Sequence, residues 1–253
     1  SNNEPIPEGF VILPSSKDVL NHPNCSKIWE VFQAGDATNI REQSRLTITV
    51  LPFKIDRRRF SGFSRHIQQV DDGWLIGFDG GEFGGGLSWF SLDGSREKEL
   101  VGENVRGLVK SSTGFFVVTG LQHLGLSWGK IFHVKKGVSG NWKADLLVNL
   151  SANPDTFTQE SPDSLLVVVG SQSDLAQRNG SDNFGQKNGG IFRVKTSGKV
   201  EPVLTSGSLG YQPNSMTLSK SGIIYLGAWR YVTRLTPVEK GYKEETFVPL
   251  NCY

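Results

Sequence analysis

The chain has 253 residues, 27 basic against 25 acidic side chains for a net charge of +2, 37% hydrophobic residues, 30 glycines and 1 methionine. That length can bury a sizeable core, but no apolar run approaches the ~18 residues a membrane helix needs, and near-balanced charge gives no concentrated basic field for nucleic acid. Aromatic residues make up 10% of the chain, which excludes a disordered polymer, and abundant glycine with scarce methionine suits short strands and turns.

The chain begins polar and extended, Ser1-Asn2-Asn3-Glu4-Pro5-Ile6-Pro7, without the basic start and apolar stretch of a signal peptide. A short apolar strand is expected at Gly9–Leu13, a second at Lys27–Phe32 and a third at Leu46–Leu51. The segment Ser16–Leu20 is too short for more than one helical turn. The run Asp56-Arg57-Arg58-Arg59 is basic, and three charges in a loop read as a solvated surface.

From here a unit of four strands recurs. His66–Val70 comes first, then Gly73–Phe78 after an Asp-Asp-Gly turn, then Gly86–Leu92, then Glu99–Val101. The next unit reads Arg106–Val109, Gly114–Gly120, Gly129–Val134 and Ala144–Val148. A third reads Thr156–Thr158, Ser164–Gly170, Gly190–Val194 and Val200–Leu204. The last reads Ser215–Leu218, Gly222–Gly227, Tyr231–Leu235 and Thr246–Leu250. Each second strand is a β-branched or aromatic run bounded by turn chemistry, and each third strand alternates, as in Ile131 and His133 against Phe132 and Val134. Pro202 and Pro249 in the fourth strands suit an open edge, where a missing N–H costs no ladder bond.

Four-stranded units at this spacing are the signature of a β-propeller, and the pattern resembles propeller proteins in general along the whole chain. A β-sandwich would alternate likewise but need not repeat one strand order. No WD, kelch or Asp-box signature is present. The resemblance implies an all-β fold, a five-bladed propeller with four-stranded antiparallel blades. The first blade would be incomplete: Gly9–Leu13 is its second strand, Lys27–Phe32 its third and Leu46–Leu51 its fourth. One domain would cover residues 1–253, with blades at about 9–52, 60–102, 105–150, 155–206 and 213–251.

In a propeller the loops from second to third strand share one face with the loops between blades. The loops on that face are the long ones here: 79–85, 121–128, 171–189 and 228–230. Long loops on a rigid scaffold concentrate binding residues. Asp79 and Glu82 stand in a glycine-rich frame there and, with Asp155, are the candidates for acid and base work on a sugar. Arg65, Arg106 and Arg230 are candidates for an anion clamp. Trp128 and Trp229, with Tyr211, are candidates for stacking or a protein contact. His66 and His123 complete the ligand-binding set; with Asp79 they would be a metal centre, but two histidines of unknown separation do not define one, and no metal or other cofactor is expected. His133 inside a strand reads as structural, His22 lies in a loop, and Trp29, Trp74, Trp89 and Phe192 read as packing between blades.

The loop 171–189, with Leu175 and Phe184 at its apolar tips, suits a contact loop or lid. No nucleophile elbow or phosphate-binding motif occurs. Cys25 and Cys252 sit near opposite ends, in blades that meet only when the ring closes, so one disulfide stapling the ring is expected. That points to an exported protein, periplasmic or extracellular. The reading is a monomeric binding propeller for a protein or cell-envelope ligand, with no nucleic acid partner and no transmembrane segment; a glycan-active hydrolase or lyase is the alternative.

Overall fold

The computed structural model describes residues 4–13, 27–44, 50–55, 64–170, 189–205 and 213–250. Among them, no helix is long and apolar enough to cross a membrane. The strands are β1 (Phe10–Leu13), β2 (Trp29–Ala34), β3 (Ala37–Glu42), β4 (Ser64–Val70), β5 (Gly73–Asp79), β6 (Gly85–Ser91), β7 (Glu97–Val101), β8 (Val105–Ser111), β9 (Gly114–His123) and β10 (Leu126–Lys136). They continue as β11 (Trp142–Leu150), β12 (Pro154–Ser161), β13 (Ser164–Val169), β14 (Gly190–Lys195), β15 (Val200–Leu204), β16 (Ser215–Leu218), β17 (Ile224–Gly227), β18 (Val232–Val238) and β19 (Gly241–Pro249).

Consecutive strands pair antiparallel into sheets β4–β7, β8–β11 and β12–β15, and β16–β19 form a fourth sheet with an added strand. The first strands of successive sheets lie side by side: β4 against β8, β8 against β12, β12 against β16, and β16 against β2. Meandering sheets whose first strands gather around one axis form a propeller-type architecture.

Apolar clusters fill the space between sheets, which is why the second strands read as unbroken apolar runs. In β13, Leu165, Val167 and Val169 pack toward Phe116, Val118 and Ile131 of the preceding sheet. The alternate residues Leu166 and Val168 pack toward Met216, Ile224 and Leu226 of the following one. Leu75, Leu87 and Val101 join Phe115, Val117 and Trp142 in the same way. Trp89 and Phe192 sit in such clusters, Trp29 packs between the hairpin and the last sheet, and Trp74 packs within the cluster of Ile76, Phe78 and Phe90. His133 is buried, with Nε2 3.2 Å from the Ser111 hydroxyl, a structural role. The sheets come closest at their inner ends. A Cβ on Gly107 would lie 2.2 Å from the Phe157 ring, so any side chain there would have to displace that ring.

Polar ties link the tight turns as well. Asp72 accepts hydrogen bonds from the indole N–H of Trp142 at 3.1 Å and of Trp89 at 3.3 Å, joining two sheets. Burial pushes the Asp72 carboxyl up, but the bonds from Lys136 and Trp142 outweigh it and hold the group below its ordinary value. The Ser112 hydroxyl donates to Asp163 across the next pair of turns.

The N-terminal segment departs from the expected first blade. β1 is not a second strand of that blade; it pairs antiparallel with β19, from Phe10 opposite Pro249 to Leu13 opposite Thr246, as a fifth strand of the last sheet. β19 offers an outer edge of unpaired backbone groups, and a short apolar strand is the element that covers one. Pro249 therefore sits at the end of a paired ladder, not on an open edge, whereas Pro202 of β15 does lie on one. β2 is not a third strand either. It turns through Gly35 and Asp36 into β3, a strand the apolar pattern did not signal, and packs beside the inner strand β16. There the Val31 N–H donates to the Ser215 hydroxyl at 3.0 Å and the Trp29 N–H to the Ala228 carbonyl at 3.1 Å. Of the third expected strand, residues 46–49 lie outside the described residues, as do Cys25 and Cys252 of the expected disulfide.

Candidate functional site

Two register breaks shape the site. In β8, Val105 pairs with Thr119 and Gly107 with Val118, so Arg106 is an extra residue without a partner in the ladder. In β12, Pro154 pairs with Val169 and Thr156 with Val168, leaving Asp155 in the same position. Such bulges re-aim a side chain. Each stands two residues after an asparagine, in Asn104-Val105-Arg106 and Asn153-Pro154-Asp155. The two bulges put opposite charges at matching points of neighbouring inner strands.

Asp79 ends β5 and is 5% exposed. One carboxylate oxygen accepts from the Gly81 N–H at 2.8 Å, and the other accepts from Arg106 at 2.7 Å. The loop then makes a 3-10 turn over Gly81–Phe83, with Gly81 at φ 61° and Gly84 at φ 97°. These are left-handed conformations that favour glycine. The Asn104 amide donates to the Gly81 carbonyl at 2.8 Å, so the next sheet pins the loop. The glycine-rich stretch 79–86 is thus a braced turn and not a slack hairpin.

The segment 121–128 is not a loop. β9 and β10 stay paired out to His123 opposite Leu126, and only Leu124 and Gly125 turn, at φ 46° and 82°. This projecting hairpin brings His123 to Glu82, with Nε2 2.7 Å from the carboxylate. His66 on β4 leaves its Nε2 without a partner among the described residues. Burial pushes His66 below its ordinary value, the Arg106 charge adds to this and the Asp79 charge opposes it, so the ring is neutral at pH 7.

Asp79, Glu82, Arg106, His123, Asn153 and Asp155 line one cavity of about 820 Å³, with Phe83, Leu121 and Pro213 as its apolar wall. All the lining residues come from inner strands, from the turns between sheets, or from the β5–β6 and β9–β10 ends. Burial pushes the Asp155 carboxyl up to about 7, against the opposing pull of Arg106. Asn153 is 6% exposed, and its Oδ1 has no donor among the described residues.

The other residues singled out from sequence stand elsewhere. Arg65 lies exposed on β4 opposite Phe78. Trp128 on β10 carries the Lys130 ammonium 5.7 Å from its ring centre. Trp229 and Arg230 stack on each other at 3.9 Å, and the backbone of Arg230 donates to the Lys27 carbonyl, so this pair serves the seam with β2. None of these four residues is part of the cavity wall. Among the described residues no three of His, Cys, Asp and Glu cluster for a metal, so His66, His123 and Asp79 do not assemble the metal centre considered from sequence. Tyr211 and the loop 171–188 lie outside the described residues. Asn153 was missed by sequence reasoning, although an asparagine recurs at the same junction in Asn104, Asn153 and Asn214.

No protein-family model and no curated protein matches the chain. Among solved structures it is similar to a Kuenenia stuttgartiensis hydrazine synthase, at 15% identity and a TM-score of 0.43 over 65% of this chain and 49% of that one. It is also similar to TolB from Acinetobacter baumannii, at 10% identity and a TM-score of 0.30 over 72% of this chain and 65% of that one. The chain thus spans about half of the first and under two thirds of the second. At this level of similarity neither neighbour's role transfers.

Proposed function

We propose that the chain is an exported, five-bladed propeller that binds a protein or cell-envelope ligand through the face bearing the β5–β6 and β9–β10 ends. In this reading residues 1–253 form one domain, β2 and β3 belong to the first blade, and the Cys25–Cys252 disulfide fastens the ring. The observation that supports it is the cavity itself. Two bulged residues of opposite charge, Arg106 and Asp155, open into a space braced by the Asp79–Arg106 and Glu82–His123 pairs. Such pre-ordered concave sites with a few convergent polar groups bind ligands. The test is capture from native envelope extract on the immobilised protein and on His123→Gln. The His123 side chain is 38% exposed, so the variant should keep its stability within about 0.5 kcal/mol. We expect the wild type to enrich a partner that the variant loses. Equal capture by both would sink the assignment of this face.

The proton-holding carboxyl of Asp155 favours a second reading, a glycan-active hydrolase or lyase. Asp155 would be the general acid and Asp79 or Glu82 the second carboxylate. New reducing ends released from envelope polysaccharide, with the rate falling at least about a hundredfold in Asp155→Asn, would establish it. Turnover that survives in that variant would dismiss it.

A further inference from the structure

We infer that the cavity receives a positively charged nitrogen, an ammonium or guanidinium group such as ends a lysine or arginine side chain, and that Asp155 is the residue that accepts it. This names the ligand class of the binding reading and rests on it. Asp79 is held by Arg106 at 2.7 Å and by the Gly81 N–H at 2.8 Å. Glu82 faces His123 at 2.7 Å. Asp155 has no hydrogen bond or ion pair among the described residues, and Arg106, the cation that acts on it through space, already holds Asp79.

One further feature keeps Asp155 open to a ligand. Its Oδ2 would lie 3.0 Å from a Cβ on Gly170, so the absence of a side chain there leaves the carboxyl uncovered. An ionised carboxyl with no partner in the wall calls for a donor from the ligand, because a desolvated acceptor left unmet is costly. An anion would meet Asp155 and Glu82 in the wall and find Arg106 engaged. A neutral sugar offers no charge to the ionised form of Asp155. An ammonium pairs with that ionised form, and Phe83, Leu121 and Pro213 offer apolar surface to an aliphatic stem.

The probes are Nα-acetyl-lysine methylamide, its uncharged counterpart Nα-acetyl-norleucine methylamide, inorganic phosphate and N-acetylglucosamine, followed by ligand-observed NMR on the full chain. We expect the lysine amide alone to bind, and Asp155→Asn to weaken it at least tenfold. Only the ionised carboxylate pairs with an ammonium. With that carboxyl pushed up to about 7, binding should tighten about tenfold from pH 6 to pH 8. His123, Glu82, Asp79 and Arg106 line the same space and His66 interacts with Arg106 and Asp79, so the pH dependence must vanish in Asp155→Asn if Asp155 is its source. The lysine and norleucine comparison needs no variant and stands whether or not Asp155→Asn folds. Equal binding of lysine and norleucine amides, or unchanged binding in Asp155→Asn, overturns the inference. Binding of phosphate or the sugar in place of the lysine amide also overturns it. If His123→Gln still abolishes envelope capture in that case, the binding face stands and only the ligand class falls.

Discussion

Asp155→Asn is expected to unfold at a higher urea concentration than the wild type at pH 8, and at nearly the same concentration at pH 4. Burial pushes the carboxyl from 3.8 up to about 7, while Arg106 pulls the other way. The folded value lies above the unfolded one, so folding favours the protonated form. That contribution is fully present below about pH 4 and is lost as pH rises through about 7. At pH 8 the wild type must hold a charged, half-buried carboxylate. Raising the carboxyl from 3.8 to about 7 corresponds to a ceiling of about 4 kcal/mol, and relaxation of the site brings the expected gain of the variant to about 2–4 kcal/mol. Asparagine keeps the shape and cannot ionise. Equal midpoints at pH 8 would mean that the carboxylate is well solvated and carries no such cost. A residue whose removal stabilises the fold is one retained for something other than folding, and this result would mark Asp155 without any ligand in hand.

The sequence made the repeated units legible because their chemistry is local. Asp71-Asp72, Ser112-Thr113 and Pro162-Asp163 sit between runs such as Leu165–Val169, whose two apolar faces meet two neighbouring sheets. It also sorted the loops by face, which gathered Asp79, Glu82, Arg106, His123 and Asp155 on one side before any geometry was known. Three features were not legible. The apolar run Phe10–Leu13 reads the same whether the strand sits second in a sheet or covers an edge, and only the partner, β19, decides. β3, Ala37–Glu42, carries little apolar signal because its face is polar. The bulges at Arg106 and Asp155 are one-residue slips against a partner strand, and no pattern within the strand itself encodes them; the repeated asparagine two residues earlier is their one trace. The aromatic candidates Trp128 and Trp229 stand outside the cavity for a related reason: each meets a cation of its own chain, Lys130 or Arg230, which residue type alone cannot reveal.

Arg234→Ala should lower stability by about 3–5 kcal/mol, the loss expected when one partner of a buried ion pair is removed. Arg234 on β18 is 6% exposed. Its Nε and Nη2 donate to Glu245 at 3.0 and 2.8 Å, and its Nη1 donates to the carbonyls of Glu4 at 2.7 Å and Pro5 at 3.2 Å. The guanidinium also lies 4.8 Å from the centre of the Phe247 ring. The Glu4 carboxylate in turn accepts from the Tyr225 hydroxyl at 2.5 Å and from Ser221 at 2.7 Å. One side chain therefore clasps the segment that leads into β1, and β1 is what covers the edge of β19. Truncation leaves Glu245 with Lys243 alone, strips two carbonyls of their donor and opens a hole against Phe247. Arg234→Lys offers a point charge where a planar fork is needed, so it should recover only part of the loss. Burial pushes the Glu245 carboxyl up, but the bonds from Lys243 and Arg234 outweigh it and lower it below its ordinary value. Its contribution is present above the unfolded value and lost as pH falls through the folded one, so the gap between wild type and Arg234→Ala should narrow on acidification below about pH 4. Urea denaturation gives the midpoints, and amide exchange gives the location. Protection should drop first at Val11 and Leu13 of β1 and only later in β17. A variant within about 1 kcal/mol of wild type, with β1 still protected, would show that strand pairing with β19 holds the N-terminal segment without the clasp.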